Sequence, residues 1–298
     1  MYDVVIIGAG PAGLSAGIYA CRGGLKVAII ENKSVGGQAQ TAADIQNYPG
    51  IKSTSGFDLC YAMMNQCMEF GAEFVFDSIA SVSLIGETKA ISLASGKIVE
   101  AKNVIIASGA NARKLGVPNE SKFIGKGVSY CATCDGAFFK GKTVAVIGGG
   151  NTAAEDALYL EKLAKKVYMV HRRDALRADD ILVKRLEKSN VEIVWDSVVE
   201  NLGGEDKITQ LTLKNVKTNA LTTISVDGVF VAIGQTPNSQ GFENISLSSG
   251  GYIIADENMH TNIDGVYAVG DVREKSLRQV VTACADGAIA ANAIVNGI

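Results

Sequence analysis

The feature that most constrains this chain is a glycine-rich turn that occurs twice, with its first glycine at Gly8 and again at Gly148. The first copy reads DVVIIGAGPAG and the second reads KTVAVIGGGNTA. In both copies a short apolar run leads into the turn, a helical pattern follows, and a second apolar run comes next. This order is typical of a dinucleotide-binding βαβ unit. The chain is therefore expected to have an α/β fold with two Rossmann-like nucleotide-binding domains.

The first copy has the features of a site for a nucleotide with a free 2′-hydroxyl. Gly10 and Gly13 allow the backbone to approach a pyrophosphate, which would lie at the positive N-terminus of the following helix. The second apolar run, KVAIIE, ends in Glu31, where a carboxylate can accept hydrogen bonds from an adenosine ribose. A tight strand-to-helix turn without a ligand is the alternative.

The second copy differs at the position that matches Glu31. His171 occupies that position, Arg172 and Arg173 follow it, and Arg177 comes one helical turn later. A carboxylate there would repel a 2′-phosphate, whereas guanidinium groups would bind it in a bidentate manner. The second unit is therefore expected to bind NADP, with a solvated basic strand end as the alternative.

Two dinucleotide units in one chain suggest an enzyme that relays a hydride between two nucleotides. FAD with NADPH is the natural pair, because a flavin accepts two electrons as hydride and releases them to a thiol or one at a time.

Each unit is followed by short alternating strands that predict an antiparallel β-meander. These strands read EFVFDSIASVSLI, KAISLASG and KNVIIASG after the first unit, and VEIVWDSVVENLGG, ITQLTLKNVKT and LTTISVDG after the second. The tail GVYAVGDV predicts a strand that ends in Gly270 and Asp271, and a helix rich in small residues is expected to begin near Ser276. Asp271 is placed to bind the sugar-alcohol chain of a flavin, unless it is an ordinary turn aspartate.

If this tail completes the first sheet, the first domain is discontinuous. The expected FAD-binding domain then comprises residues 1–112 and 242–298. The expected NADPH-binding domain, residues 113–241, is inserted between the two parts and carries the cysteine pair CATC.

The sequence CATCDG places Cys131 and Cys134 two residues apart, with Asp135 directly after them. A zinc site needs about four Cys or His ligands, and the other candidates are scattered along the chain, which makes a metal site the weaker alternative. A CxxC pair at the start of a helix is instead typical of redox chemistry, because the helix N-terminus stabilises a thiolate. Asp135 could exchange the proton that thiol–disulfide exchange requires, or it could be a favourable first-turn charge.

The charge balance bounds the possible partners. The chain has 28 Lys and Arg against 31 Asp and Glu, so no long-range field would attract nucleic acid or an anionic membrane. No apolar run reaches the ~18 residues of a membrane helix, and the N-terminus lacks the pattern of a signal peptide. The six cysteines suit a reducing compartment. A soluble cytoplasmic protein is expected.

Several longer motifs together resemble the low-molecular-weight bacterial thioredoxin reductases over essentially the whole chain. They are GAGPAG, GGQ, NYPG, CATCDG, GGGNTAAEDAL, HRRDALR, AIGQTPN and GVYAVGDV followed by RQ. The resemblance implies a homodimeric FAD enzyme that moves electrons from NADPH to flavin, to its own disulfide and then to thioredoxin or a thioredoxin-like protein. It also implies that Cys134 faces the flavin, that Cys131 attacks the thioredoxin disulfide and that Asp135 is the acid.

The glycine motifs and the resemblance together give two sets of expected cofactor contacts. For FAD they are Gly8, Gly10, Pro11, Ala12, Gly13, Glu31, Gly37, Gln38, Asn47, Gly270, Asp271, Arg278 and Gln279. For NADPH they are Gly148, Gly150, Asn151, Thr152, His171, Arg172, Arg173 and Arg177.

Other functions remain open at this stage. A flavin dithiol oxidase or a reductase fed by ferredoxin would keep the CxxC pair, but it would not need the arginines of HRRDALR. A flavin reductase of ferredoxin would not need CATC. A redox-sensing flavoprotein that reports the NADPH/NADP balance to a partner is the alternative from a different class.

Overall fold

The computed structural model describes residues 1–42 and 44–297, and these form two compact units. Unit 1 comprises Met1–Asn111 and Thr236–Ile298, and unit 2 comprises Ala112–Gln235. No helix in the described part of the chain is long and apolar enough to cross a membrane.

Unit 1 contains the three longest described helices and the larger sheet. Its strands are β1 (Tyr2–Ile7), β2 (Val27–Glu31), β3 (Glu73–Phe76), β4 (Ile79–Ser83), β5 (Lys89–Leu93), β6 (Ile98–Ile106), β7 (Ala110–Ala112, which ends one residue into unit 2), β16 (Gln235–Pro237, which begins one residue before unit 1 resumes) and β17 (Val266–Ala268). Its α-helices are α1 (Pro11–Arg22), α2 (Gly56–Glu69) and α7 (Val280–Asn296), with short 3₁₀ turns at Gly37–Thr41 and Gly270–Val272.

Unit 2 repeats the same kinds of element on a smaller scale. Its strands are β8 (Val128–Ser129), β9 (Thr143–Ile147), β10 (Lys166–Val170), β11 (Glu192–Val194), β12 (Ser197–Gly203), β13 (Gln210–Asn215), β14 (Leu221–Ser225) and β15 (Gly228–Val231). Its α-helices are α3 (Glu120–Phe123), α4 (Ala132–Asp135), α5 (Asn151–Glu161) and α6 (Asp180–Leu186), and a 3₁₀ turn covers Gly136–Phe139.

The sheet of unit 1 combines a parallel half and an antiparallel half through one long strand. The strand order is β3-β2-β1-β6-β5-β4, and β17 also pairs with β6. The second half of β6 pairs in parallel with β1 and β17, while its first half pairs antiparallel with β5. The tail therefore completes the first sheet, as the sequence led us to expect.

Different elements pack on the two faces of this sheet, as the alternating side chains of β1 show. Val4 and Ile6 pack with α1, α2 and α7, whereas Val5 and Ile7 pack with the meander and the segment before β17. Successive side chains of a strand point to opposite faces. Each fully buried Val or Ile contributes about 1.5–3 kcal/mol to stability relative to an exposed one.

In unit 2 the parallel strands and the meander strands form two separate sheets. The parallel sheet has the order β11-β10-β9-β15-β8, and the meander is an antiparallel sheet with the order β12-β13-β14. Val144 and Val146 of β9 pack against α5 and α6, while Ala145 and Ile147 face the cluster that includes the meander. The expected α/β class with two Rossmann-like units, each carrying a meander, is confirmed.

Two sequence predictions of single strands were wrong in the same way. EFVFDSIASVSLI divides into β3, which is parallel to β2, and β4, which belongs to the meander. The break lies at Asp77, whose carboxylate accepts the Ser78 N–H at 2.7 Å. VEIVWDSVVENLGG divides into β11 and β12 at Asp196, where φ is +50°. In both units an Asp-Ser pair turns the chain out of the parallel sheet.

Two predicted boundaries also move. The second junction between the units lies at Gln235/Thr236 rather than after residue 241, because Asn238 is held to Ser108 by a pair of hydrogen bonds of 2.7 and 2.8 Å. The last helix begins at Val280 rather than near Ser276. Gln279 caps it in a reciprocal capping box with Thr282, which fixes the start of the helix there.

Candidate functional site

The first glycine turn connects β1 to α1 by a very close approach of backbone atoms. A Cβ on Gly13 would lie 2.0 Å from the carbonyl oxygen of Gly8, so only glycine fits. Gly8 itself has φ +106° and lies against Ala107 O. Gly10 and Pro11 begin α1, and the N–H groups of its first turn have no partner within the helix.

The space in front of this turn is open. A Cβ on Gly10 would meet no atom within 4 Å, and Gly37 lies beside it, since a Cβ on Gly37 would be 3.5 Å from the Gly10 Cα. Backbone that is free of side chains, at the positive end of a helix, is the arrangement that accepts a phosphate.

Glu31 lies at the end of β2, close to the glycine turn. Its Oε2 accepts the Ala9 N–H at 3.0 Å, and its Oε1 accepts the N–H groups of Asn32 and Lys33 at 2.9 Å each. These bonds fix the direction of the carboxylate at the edge of the turn.

Three other expected FAD contacts, Asn47, Gln279 and Gln38, are held by hydrogen bonds within unit 1. Asn47 donates from Nδ2 to Gln279 Oε1 at 2.9 Å, and Gln38 donates from Nε2 to the Ala110 carbonyl. Each of these bonds joins two residues that are far apart in sequence, by 232 and 72 positions.

Asp271 and Arg278 are the members of this set with unsatisfied buried atoms. Among the described residues, neither Asp271 Oδ1 nor Arg278 Nε has a hydrogen-bond partner. Burial raises the pKa of Asp271, and the charges of Lys275 and Arg278 oppose that rise. The Arg278 guanidinium lies 4.1 Å from the centre of the Tyr252 ring, a cation–π contact that fixes its plane. Buried polar atoms without partners indicate a ligand that would satisfy them.

The second glycine turn has the same backbone plan. Gly150 precedes α5, and a Cβ there would again meet no atom within 4 Å. Asn151 forms a reciprocal pair with Asp179, in which Asn151 Nδ2 donates to Asp179 Oδ2 and Asp179 N donates to Asn151 Oδ1, both at 2.8 Å. Thr152 is exposed at the same helix start, and Gly148 packs against Ala232 O.

The basic segment after β10 presents its arginines to solvent. Arg172, Arg173 and Arg177 are all exposed, and no ion pair to a carboxylate involves them among residues 1–42 and 44–297. The backbone of Arg177 is tied to the turn, because its N–H donates to Gly149 O at 2.7 Å. The three guanidinium groups are therefore available to bind an anion beside the second glycine turn.

His171 is placed differently from the arginines. It is 6% exposed, and its ring lies directly against Gly149, where an added Cβ would be 2.2 Å from ring atoms. Its Nε2 lies 3.1 Å from Ala175 O and donates to it. Burial, together with the nearby arginine charges, lowers the pKa of His171, so the ring is neutral at pH 7.

Cys131 and Cys134 form a disulfide with a Cα–Cα distance of 5.3 Å. Cys131 is the N-cap of α4, and its Sγ accepts the Cys134 N–H at 3.2 Å. Within unit 2 Cys134 is exposed, while Cys131 and the adjacent Asp135 are half-buried. The pair is thus positioned by a single helical turn.

The aromatic residues after the cysteines have separate roles. Phe139 packs against the backbone of Gly228 and edge-on to Phe230, at a ring distance of 5.2 Å, and anchors the CxxC segment to strand β15. Phe138 is 43% exposed. Of the two rings, therefore, only Phe139 packs against the core of unit 2.

Sequence reasoning missed the buried contact between Glu120, at the start of α3, and Tyr130, the residue before Cys131. Glu120 is 4% exposed, and it accepts the N–H groups of Leu115 and Gly116 at 2.8 and 2.9 Å. It also accepts the Tyr130 hydroxyl at 2.6 Å. Burial and this bond raise the pKa of Tyr130. A buried Glu followed ten residues later by Tyr has no recognisable spacing, so only the fold shows the pair.

Comparison with known proteins agrees with this site. A model of the pyridine nucleotide-disulphide oxidoreductase family matches residues 2–287. A thioredoxin reductase of Peptoclostridium acidaminophilum is 47% identical over 302 residues, covering 98% of this chain and 95% of the relative. One from Treponema pallidum is 43% identical over 299 residues, covering 100% and 97%. The crystal structure of thioredoxin reductase from Streptococcus pyogenes MGAS5005 has a TM-score of 0.93 at 44% identity, covering 99% of this chain and 97% of that one. With its two dinucleotide turns and its CxxC disulfide, the chain belongs to the pyridine nucleotide-disulphide oxidoreductase family.

Proposed function

We propose that this chain is a thioredoxin-disulfide reductase, which passes two electrons from NADPH through FAD to the Cys131–Cys134 disulfide and on to oxidised thioredoxin or a thioredoxin-like protein. The observation that carries the proposal is the disulfide at the start of α4. It lies in unit 2, where the chain's second glycine turn is beside three exposed arginines. The relatives named thioredoxin reductase, at 43% and 47% identity over nearly the whole chain, support it.

FAD is assigned to unit 1. The open space at Gly10, the unpartnered atoms of Asp271 and Arg278, and the carboxylate of Glu31 fit the pyrophosphate, the sugar-alcohol chain and the ribose of a dinucleotide. When bound, FAD accepts a hydride from NADPH and passes two electrons to a disulfide.

NADPH is assigned to unit 2. Gly150 leaves room for its pyrophosphate, and Arg172, Arg173 and Arg177 would hold the 2′-phosphate. His171 has a supporting role in this proposal, because its buried ring joins Ala175 O to the underside of Gly149. It would hold the arginine segment against the turn without touching the nucleotide.

The thiol chemistry is assigned to the cysteine pair. Two electrons and two protons open the S–S bond into two thiols. The Cys131 thiolate attacks one sulfur of the partner's disulfide, which forms a mixed disulfide and releases a thiolate of the partner. The Cys134 thiolate then attacks Cys131 Sγ, which restores the intramolecular disulfide and releases the second thiolate. Asp135, beside Cys134, would give and take the protons.

The proposal includes a homodimer in the cytoplasm. The motif resemblance supports the dimer, which sedimentation of the purified protein would test. Four further cysteines, Cys21, Cys60, Cys67 and Cys284, are thiols in the structure, as a reducing compartment would keep them.

The test is NADPH-dependent formation of thiols in purified thioredoxin. The wild-type protein should turn over, and Cys131→Ser should lose thioredoxin reduction while its flavin still accepts hydride from NADPH. Cys21→Ser, which removes a half-buried thiol outside the pair, is the matched control and should turn over normally. Turnover by Cys131→Ser would refute the electron path, and wild-type protein that reduces its flavin but not thioredoxin would favour the sensor.

A further inference from the structure

Asp286 is a buried carboxylate that neither glycine motif requires. It lies on α7 and is 5% exposed. Its Oδ2 accepts three hydrogen bonds, from Gly270 N at 3.0 Å, Arg273 Nε at 3.1 Å and Lys275 Nζ at 2.7 Å. The side chains of Arg273 and Lys275 are themselves only 16% and 7% exposed. Desolvation offsets much of the attraction in such a cluster, so stability alone is a weak reason for it.

The cluster lies against the backbone of the first glycine turn. The neighbouring Gly287 packs so tightly on α1 that a Cβ would be 2.1 Å from Ala12 O, and a Cβ on Gly270 would be 2.8 Å from the Ala12 Cβ. Through its bond to Gly270 N, Asp286 therefore fixes the residue that precedes Asp271 against the start of α1.

Asp271 differs from Asp286 in its partners. Its buried Oδ1 has no hydrogen-bond partner among the described residues, and burial raises the pKa of Asp271 although the charge of Lys275 opposes that rise. The Lys275 ammonium is instead bound to Asp286 at 2.7 Å. The charge of Lys275 thus acts on both carboxylates, but only Asp286 is hydrogen-bonded to it, and Asp271 keeps one buried oxygen without a partner among the described residues.

We propose that Asp286 is a positioning residue, which holds Lys275, Arg273 and the Gly270 N–H so that the Asp271 carboxylate stays open to the hydroxyl groups of bound FAD. This inference rests on the proposed FAD site in unit 1. Without the Asp286 charge, the Lys275 ammonium would turn to Asp271, because a buried cation needs an anionic partner. A charge-assisted bond from that ammonium would then compete with the weaker donation from a sugar hydroxyl.

The test compares FAD affinity in flavin-loaded protein, measured from the fluorescence of released FAD. Asp286→Asn keeps the shape and an acceptor for Gly270 N, and the dissociation constant of FAD should rise about tenfold, which corresponds to about 1.4 kcal/mol. In Asp286→Asn/Lys275→Met the competing ammonium is gone while the Asn carbonyl still accepts the Gly270 N–H, and the dissociation constant should return to within about threefold of the wild-type value. A double variant that binds FAD no more tightly than the single one would overturn the competition between Lys275 and the sugar hydroxyl groups for Asp271.

Asp3→Asn is the matched control. Asp3 also accepts one backbone N–H, from Lys26, and one ammonium, from Lys102, but at the start of β1. Its substitution should leave FAD affinity unchanged.

The outcomes separate this inference from the proposed function. A wild-type protein that does not bind FAD would refute the proposed function itself. Wild-type and Asp286→Asn proteins that bind FAD equally tightly would overturn only the role of Asp286. If Asp286→Asn does not fold, the comparison is between Lys275→Met and the double variant, which should bind FAD alike. A double variant that binds more weakly than Lys275→Met, or that fails to fold, would then overturn the inference.

Discussion

The two βαβ units of this chain share a backbone plan and differ in the residues at the end of the second strand. In unit 1 Glu31 turns its carboxylate back onto the turn, at 3.0 Å from Ala9 N. In unit 2 the matching His171 is buried against Gly149, and the positive charges of the segment lie on the exposed side chains of Arg172 and Arg173. The backbone thus leaves the same open space at the start of the helix in both units, and under the proposed function a few side chains decide whether a ribose hydroxyl or a 2′-phosphate is favoured.

The two units also differ at the third small residue of the glycine turn, which is Gly13 in unit 1 and Ala153 in unit 2. Gly13 in unit 1 has no room for a Cβ, which would lie 2.0 Å from Gly8 O. Unit 2 has Ala153 at this position, fully buried, with its Cβ packed near Gly148. The helix of unit 1 therefore approaches its strand more closely than the helix of unit 2 does.

The largest effect is expected from exchanging these two residues. Gly13→Ala should lower the free energy of unfolding by about 1–3 kcal/mol, because overpacking forces the backbone apart, and the purified protein should lose its FAD. Ala153→Gly should lower it by only about 1 kcal/mol, through the poor helix propensity of glycine, and should keep FAD. Chemical denaturation and the flavin absorbance of each variant measure both quantities. Equal effects of the two substitutions would show that the closer approach in unit 1 has no consequence.

The next largest effect is expected on the KM for NADPH, when the exposed arginines of unit 2 are removed. In Arg172→Ala/Arg173→Ala the KM for NADPH should rise about 100-fold, because each lost hydrogen bond to a charged group is worth about 1.5–3 kcal/mol. The KM for NADH should stay unchanged. Arg185→Ala, which removes an exposed arginine from the last turn of α6, is the control. A parallel rise in both KM values would mean that the arginines do not read the 2′-phosphate.

A smaller effect is expected at the acid of unit 1. Glu31→Gln leaves one carbonyl oxygen where two carboxylate oxygens now accept the N–H groups of Ala9, Asn32 and Lys33. The dissociation constant of FAD should rise about tenfold, for a loss of about 1.4 kcal/mol. The affinity for 2′,5′-ADP, a probe of unit 2, should not change. Weaker binding of 2′,5′-ADP would show that the two sites are not separate.

The smallest effect is a change in the pH dependence of stability. The pKa of His171 in the folded protein lies below its ordinary value near 6.5, because of burial and the nearby arginines. The unfolded chain therefore binds this proton first as the pH falls, and the contribution of neutral His171 to stability is lost below about pH 6.5. His171→Gln should show a shallower loss of stability between pH 7 and pH 5 than the wild type. Identical slopes would contradict a buried neutral imidazole.

The parts of the fold that local sequence patterns encode were predicted well. Apolar runs, the glycines of each turn and the strand alternation led to two Rossmann-like units with meanders, because strand and turn signals depend on residues close together in the chain. The splits at Asp77 and Asp196 were not predicted, since each strand run looked continuous. Only the pairing of β3 with β2 and of β11 with β10 reveals them.

The supporting residues of the site could not be predicted for a different reason. Glu120 binds Tyr130 ten residues away, and Asp286 binds Gly270 across a separation of 16 residues. Such bonds depend on how elements pack, and no spacing rule announces them. The buried position of His171 was missed as well, because its place in HRRDALR is the same whether the ring contacts a phosphate or the underside of the turn.

In the proposed function the acidic unit 1 holds FAD and the basic unit 2 selects NADPH. Stopped-flow reduction of the bound flavin of the wild-type protein, with NADPH and NADH at the same limiting concentration, tests it most directly. Reduction by NADPH should be about 100-fold faster, because charge-assisted bonds from the arginines hold the 2′-phosphate. Equal rates with the two nucleotides would contradict it.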